Sequence, residues 1–79
     1  MPRRIGGKNM QRTIKHIKRL NNSHAGNPAF EFTFIGGQTI RTKANISDAY
    51  KVHMGMVGQL VDVEVETTKS GRQRIVSIN

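Results

Sequence analysis

The chain contains no cysteine, so no disulfide, thiolate metal site or cysteine nucleophile is available to it. Tryptophan is missing too, and the aromatic share is 5%, made up of Phe30, Phe32, Phe34 and Tyr50. Stacking chemistry is therefore scarce. No apolar run approaches the ~18 residues that a membrane-spanning helix requires. The charged opening residues, Met1 to Lys8, are not followed by the apolar core of a secretion signal. The expectation is a cytoplasmic protein with no membrane partner, in keeping with the missing cysteines. Acids are also few: Glu31, Asp48, Asp62, Glu64 and Glu66 stand against 13 lysines and arginines.

What the sequence does have is positive charge, and the charge is gathered at one end. The formal net charge is +8 in 79 residues. Residues 1–20 carry Arg3, Arg4, Lys8, Arg12, Lys15, Lys18 and Arg19 with no acid among them. The rest of the chain is close to neutral. A one-sided basic patch is the electrostatic footprint of a polyanion binder.

Residues 1–9 hold Pro2, Gly6 and Gly7 and a single large apolar residue, Ile5; they read as a flexible basic arm. Residues 10–79 read as one barrel domain. From Met10 to Asn22 two patterns compete. Met10, Ile14, Ile17 and Leu20 make a helical stripe, whereas Ile14, His16, Lys18 and Leu20 share one side of an extended chain. The dense turn cluster from Asn21 to Pro28 leads straight into a strand, and this favours a long, bent first strand over a helix.

Ala29 to Ile35 alternates, with Phe30, Phe32 and Phe34 on one side and Glu31 and Thr33 on the other. A loop of Gly36, Gly37 and Gln38 would set Phe34 opposite Ile40 and Phe32 opposite Thr42. Asn45 to Met54 reads as a helix of about two turns, with Asn45 as its cap and Asp48 in its first turn. Leu60 to Thr67 alternates again, Val61, Val63 and Val65 inward. A Ser70-Gly71 turn would then pair Val65 with Val76 and Val63 with Ile78. The order β-β-β-α-β-β predicts an all-β protein with one short helix, folded as a five-stranded, OB-like closed barrel. An SH3-like barrel would carry its helical turn later, between the fourth and fifth strands.

The run from Phe32 to Ile75 resembles the bacterial translation initiation factor one family. Its shared landmarks are the Phe-rich strand, a Gly turn, Ala44-Asn45-Ile46-Ser47, Tyr50, Gly58 before Val61-Asp62-Val63-Glu64, and Gly71-Arg72 near Arg74-Ile75-Val76. The basic triplet that the family carries after Ile-Ser is absent, and Lys69 to Arg72 makes a shorter turn than the family uses. The resemblance implies an OB fold and not a role in initiation. A slighter likeness runs through Lys18 to Ser23 and Gly26-Asn27-Pro28. That stretch is similar to small accessory proteins of actinobacterial phages, which implies a phage setting rather than an activity.

Catalysis has little to stand on. Three of the five acids alternate along one strand, and His16, His24 and His53 fall in different elements without ligand spacing. Ser23, Ser47, Ser70 and Ser77 lack a nucleophile-elbow context, and the glycine pairs carry no phosphate-loop fingerprint. We therefore expect neither an enzyme nor a cofactor or metal. Binding is better supported, because an OB barrel takes its ligand across the second and third strands, between the 1–2 and 4–5 loops. Lys18 and Arg19 precede the first of these loops, Arg41 and Lys43 lie on the third strand, and Lys69 and Arg72 flank the last loop. Together with Arg3, Arg4, Lys8, Arg12 and Lys15 they form the expected contact set for nucleic acid, with single-stranded DNA or RNA as the first choice. The alternative is a phage-encoded interaction module that binds and inhibits a host protein or ribonucleoprotein.

Overall fold

A computed structural model of the chain describes residues 7–79. Arg3 and Arg4 lie outside the described residues, as does the arm up to Gly6. Five strands, β1 (Gly7–Leu20), β2 (Ala29–Phe34), β3 (Thr39–Thr42), β4 (Leu60–Thr67) and β5 (Gln73–Ile78), close into a barrel in the order β1-β2-β3-β5-β4. β1 makes the closure possible because it is 14 residues long. Its first half, from Gly7 to Thr13, pairs with β4, and its second half, from Ile14 to Leu20, pairs with β2. Gly7, Lys8 and Asn9, expected in the arm, are thus ladder residues. The barrel is sealed by a parallel seam between β3 and β5, where Arg41 meets Arg74 and Thr42 meets Ile75.

The ambiguity of residues 10–22 has a structural cause. A bulge between Ile14 and His16 resets the phase of β1, so Ile14 and Ile17 both point inward although they are three residues apart. In a regular strand an odd spacing sends side chains to opposite faces. A bulged strand thereby imitates a helical stripe.

A second bulge explains a misplaced pairing. Val63 does lie opposite Ile78, but the shift between Glu64 and Val65 puts Val65 opposite Ile75 rather than Val76. Ile75 is accordingly fully buried and Val76 only partly so. In the β2–β3 hairpin the observed partners are Phe32 and Ile40, two residues out of the expected register. A slip of two preserves the buried face, which is why alternation alone does not detect it.

All three hairpins close in one way. Ser23, Phe34 and Thr68 each accept, at the carbonyl, the N–H of the glycine three residues on, namely Gly26, Gly37 and Gly71. Each also donates its own N–H to the residue after that glycine. The three glycines have φ of 86°, 97° and 87°, a region open to glycine at little cost.

The expected helix is absent. Two 3-10 turns, Ser47–Lys51 and Met54–Met56, connect β3 to β4, and the described residues contain no α-helix. Asn45 does not cap. It takes φ of 67°, and its Oδ1 accepts a hydrogen bond from Asn27 Nδ2 at 2.8 Å, tying the 1–2 loop to the β3–β4 connection. Asp48 spends its carboxylate on β5. The two side chains that would start a helix are thus engaged in tertiary contacts.

The barrel interior is filled by Ile14, Ile17, the three phenylalanines, Ile40, Val61, Val63, Val65, Ile75 and Ile78, with Ala49 and Met56 from the 3-10 turns. Phe32 and Phe34 are fully buried and meet edge to face, centroids 6.0 Å apart. Burial of each ring contributes about 1.5–3 kcal/mol, and the edge contact about 0.5–1.5 kcal/mol more.

Candidate functional site

Cross-strand pairing places a row of charged side chains on the outside of the barrel. Lys18 on β1 lies opposite Glu31 on β2, Glu31 opposite Arg41 on β3, Arg41 opposite Arg74 on β5, and Arg74 opposite Glu66 on β4. These positions face outward because their neighbours Phe30, Phe32, Ile40, Ile75 and Val65 are buried. Beside this row, where β2, β3 and β5 meet the 4–5 hairpin, an open groove of ≈ 410 Å³ is lined by Glu31, Thr39, Arg41, Thr42, Arg72, Gln73 and Arg74.

Carboxylates hold two of the three arginines of the groove. Arg41 Nε is 3.0 Å from Glu31 Oε2, and Arg74 Nη2 is 3.0 Å from Glu66 Oε2. Glu66 also receives Lys43 Nζ at 3.3 Å. The hydrogen bond from Lys43, reinforced by the charges of Lys43 and Arg74, keeps the Glu66 carboxyl below the usual carboxylate range. Behind the groove, Thr42 is buried and its Oγ1 accepts the Phe30 N–H at 3.1 Å, joining β3 to β2 beyond the regular ladder. Gln38 Nε2 donates to Gln73 Oε1 at 3.2 Å and bridges the open part of the β3–β5 seam.

No protein-family model, curated protein or solved structure matches this chain. The site is therefore read from its own chemistry.

Seven of the nine expected basic residues that are described fall into three groups. Lys18, Arg41 and Arg72 come together around the groove or one strand from it. Lys8 and Arg12 lie on the β1–β4 side of the barrel, opposite Val65 and Val61, and Lys15 sits at the β1 bulge. Lys69 is exposed at the tip of the 4–5 hairpin. Lys8, Arg12, Lys15, Lys18, Lys69 and Arg72 have no carboxylate within ion-pairing distance among the described residues. Lys43, by contrast, is neutralised by Glu66.

Arg19 has a local task. Its guanidinium lies 5.3 Å from the centre of the Phe30 ring, and its Nη1 donates to the carbonyls of Leu20 and Ala29. It clamps the start of the first hairpin over the rim of the core. His16, His24 and His53 are exposed on separate elements, and no group of three or more metal-ligating side chains gathers among the described residues.

Arg74 was missed by sequence reasoning, which treated it only as the start of the closing strand. The available signal was the Arg72-Gln73-Arg74 alternation, which directs two cations to one side as soon as the strand forms.

Proposed function

We propose that this chain is a non-enzymatic nucleic-acid-binding protein on an OB-type barrel, gripping the phosphate backbone with β1 and the face formed by β2, β3 and the 4–5 hairpin. One observation carries the reading: exposed cations on β1 and the 4–5 hairpin lack acidic partners among the described residues, while Arg41, Lys43, Lys51 and Arg74 each have one. Charge left uncompensated on the surface of a small domain attracts polyanions and releases their counterions on binding. The strand order, with a parallel β3–β5 closure and a connection of two 3-10 turns between β3 and β4, supports the OB assignment.

The phenylalanines are core residues, so the sheet offers them to no base. Binding rests on phosphate contacts. The test is a titration of labelled single- and double-stranded oligonucleotides at two salt concentrations. Affinity should fall steeply with salt, by a logarithmic slope of about 0.7 per neutralised phosphate on single strands. Absent binding at low salt, or affinity indifferent to salt, refutes the proposal.

A second reading, a protein-interaction module, is favoured by a different surface. Ile35 and Leu60, 59% and 65% exposed, flank Thr13, because the Ile35 N–H donates to the Thr13 carbonyl and Leu60 is Thr13's partner on β4. Val57 is exposed next to Gly58, whose N–H donates to Ile14. Recovery of one specific polypeptide, lost in Leu60→Ser and unaffected by competing oligonucleotide, would establish this reading instead.

A further inference from the structure

We propose that Arg41, Arg74 and Arg72 hold a single phosphate group in the groove at the β3–β5 seam. The inference rests on the nucleic-acid reading and names the chemistry of one contact within it.

The row of outward charges runs positive, negative, positive, positive, negative from Lys18 through Glu31, Arg41 and Arg74 to Glu66. Like charges directly opposite one another across strands are unfavourable. Here the repeated sign falls at the seam, between Arg41 and Arg74. Each guanidinium is held from its outer side, Arg41 by Glu31 and Arg74 by Glu66, and each spends one nitrogen on that contact. Arg41 keeps both terminal nitrogens. Arg74 keeps Nη1 and Nε, and its Nε is buried with no hydrogen-bond partner among the described residues. Arg72 adds a third guanidinium that has no carboxylate partner among the described residues.

One oxyanion between Arg41 and Arg74 would restore the alternation of sign and give the free terminal N–H groups an acceptor. A phosphate suits the place better than a carboxylate, because it presents several acceptor oxygens to guanidinium forks at once. The opening of the groove leaves room for a chain attached to the phosphate. Terminal and internal phosphates share this chemistry, and oligonucleotides with and without a 5′-phosphate separate them.

The test is NMR of the arginine Nε–Hε signals during titration with inorganic phosphate at constant ionic strength, chloride being replaced. Arg41 and Arg74 should shift saturably while Arg12 stays still. Arg72→Gln, at an exposed hairpin position, should weaken the response several-fold. Arg74→Lys, which retains a cation for Glu66, should weaken it about tenfold by removing the fork. For single-stranded oligonucleotides, Arg41→Gln and Arg72→Gln should each lower the salt slope by up to about 0.7, the share of one phosphate. Tighter binding of the 5′-phosphorylated strand would assign a terminal phosphate, and equal affinity an internal one. Shifts that are linear, shared by Arg12 or matched by chloride overturn the site. Oligonucleotide binding untouched by Arg41→Gln and Arg72→Gln also overturns it and leaves the broader function standing. A saturable phosphate response without oligonucleotide binding does the reverse.

Discussion

Replacing Asp48 tests how the barrel secures its last strand. Beyond the parallel seam, the end of β5 needs partners for its backbone, and Asp48 supplies one. Its Oδ2 accepts the Ile78 N–H at 2.8 Å and the Ser77 hydroxyl at 3.1 Å, while Oδ1 pairs with Lys51 Nζ at 3.2 Å. The backbone hydrogen bond from Ile78, helped by Lys51 and Ser77, holds the Asp48 carboxyl below its ordinary value. In Asp48→Ala the Ile78 N–H, beside a fully packed Ile78 side chain, loses its acceptor. An unsatisfied, partly buried donor costs about 1–3 kcal/mol, and the exposed Lys51 pair adds at most about 0.5 kcal/mol. A loss of about 2 kcal/mol follows. For a domain of this size that lowers the melting midpoint by about 8–15 °C.

Asp48→Asn gives the pH dependence its sign. Asparagine retains an acceptor oxygen but not the charge, so it removes only the part of the stabilisation that titrates. A carboxyl whose folded pKa is depressed stabilises the fold above its unfolded value, and the contribution disappears as pH falls through the folded value. Urea unfolding of wild type and Asp48→Asn should therefore differ most at about pH 7 and converge under acid, below the usual carboxylate range. Equal stability of the two at neutral pH would refute the reasoning. So would a gap that persists undiminished in acid.

Phe32→Ala should remove about 3–5 kcal/mol, a large part of the stability a small domain has, and circular dichroism should show a broad or missing thermal transition. Gly37→Ala meets no atom within 4 Å of the new Cβ, so its cost is the backbone conformation alone, about 1–2 kcal/mol, read as a lower midpoint with unchanged binding. Lys15→Gln with Lys18→Gln should leave the melting midpoint in place, because neither lysine has a carboxylate partner among the described residues. The same pair should reduce the salt slope of oligonucleotide binding by about one to two.

The elements that were legible in the sequence are those whose signal is local. Phe30-Glu31-Phe32-Thr33-Phe34 and Val61-Asp62-Val63-Glu64-Val65 alternate without interruption, and their inward residues are the ones found buried. The hairpin glycines are legible for the same reason, since a positive φ is settled within one turn. The two bulges are not legible. Each is fixed by the partner strand and shows in one strand only as a broken period at Ile14–Ile17 and Ile75–Ile78. The missing helix is a non-local effect of the same kind, with Asn45 and Asp48 drawn off by Asn27, Ser77 and Ile78. Charge was legible as a total and not as a pattern. Nothing in sequence order sets Arg41 beside Arg74, because only closure of the barrel brings those strands together.

The way this barrel fills its interior limits what its outer face can recognise. Three of the four aromatic residues are phenylalanines turned inward, and the fourth, Tyr50, has its hydroxyl bound to Asn27 Oδ1 at 2.6 Å. Facing outward from β2 and β3 are Glu31, Thr33, Thr39 and Arg41, with His16 beside Thr33 on β1. Single-strand binders on comparable barrels take about 1–3 kcal/mol per base from stacking on aromatic platforms. Here the outward positions of β2 and β3 carry no aromatic ring among the described residues, and the exposed ring of Tyr50 is tied to the 1–2 loop instead. On the proposed function, affinity is then almost wholly electrostatic, and base identity has little to act upon. Homopolymers of equal length, one purine and one pyrimidine, should bind within about threefold of each other and share one salt slope. A strong preference for either, persisting at high salt, would mean that bases are read by a surface other than this sheet.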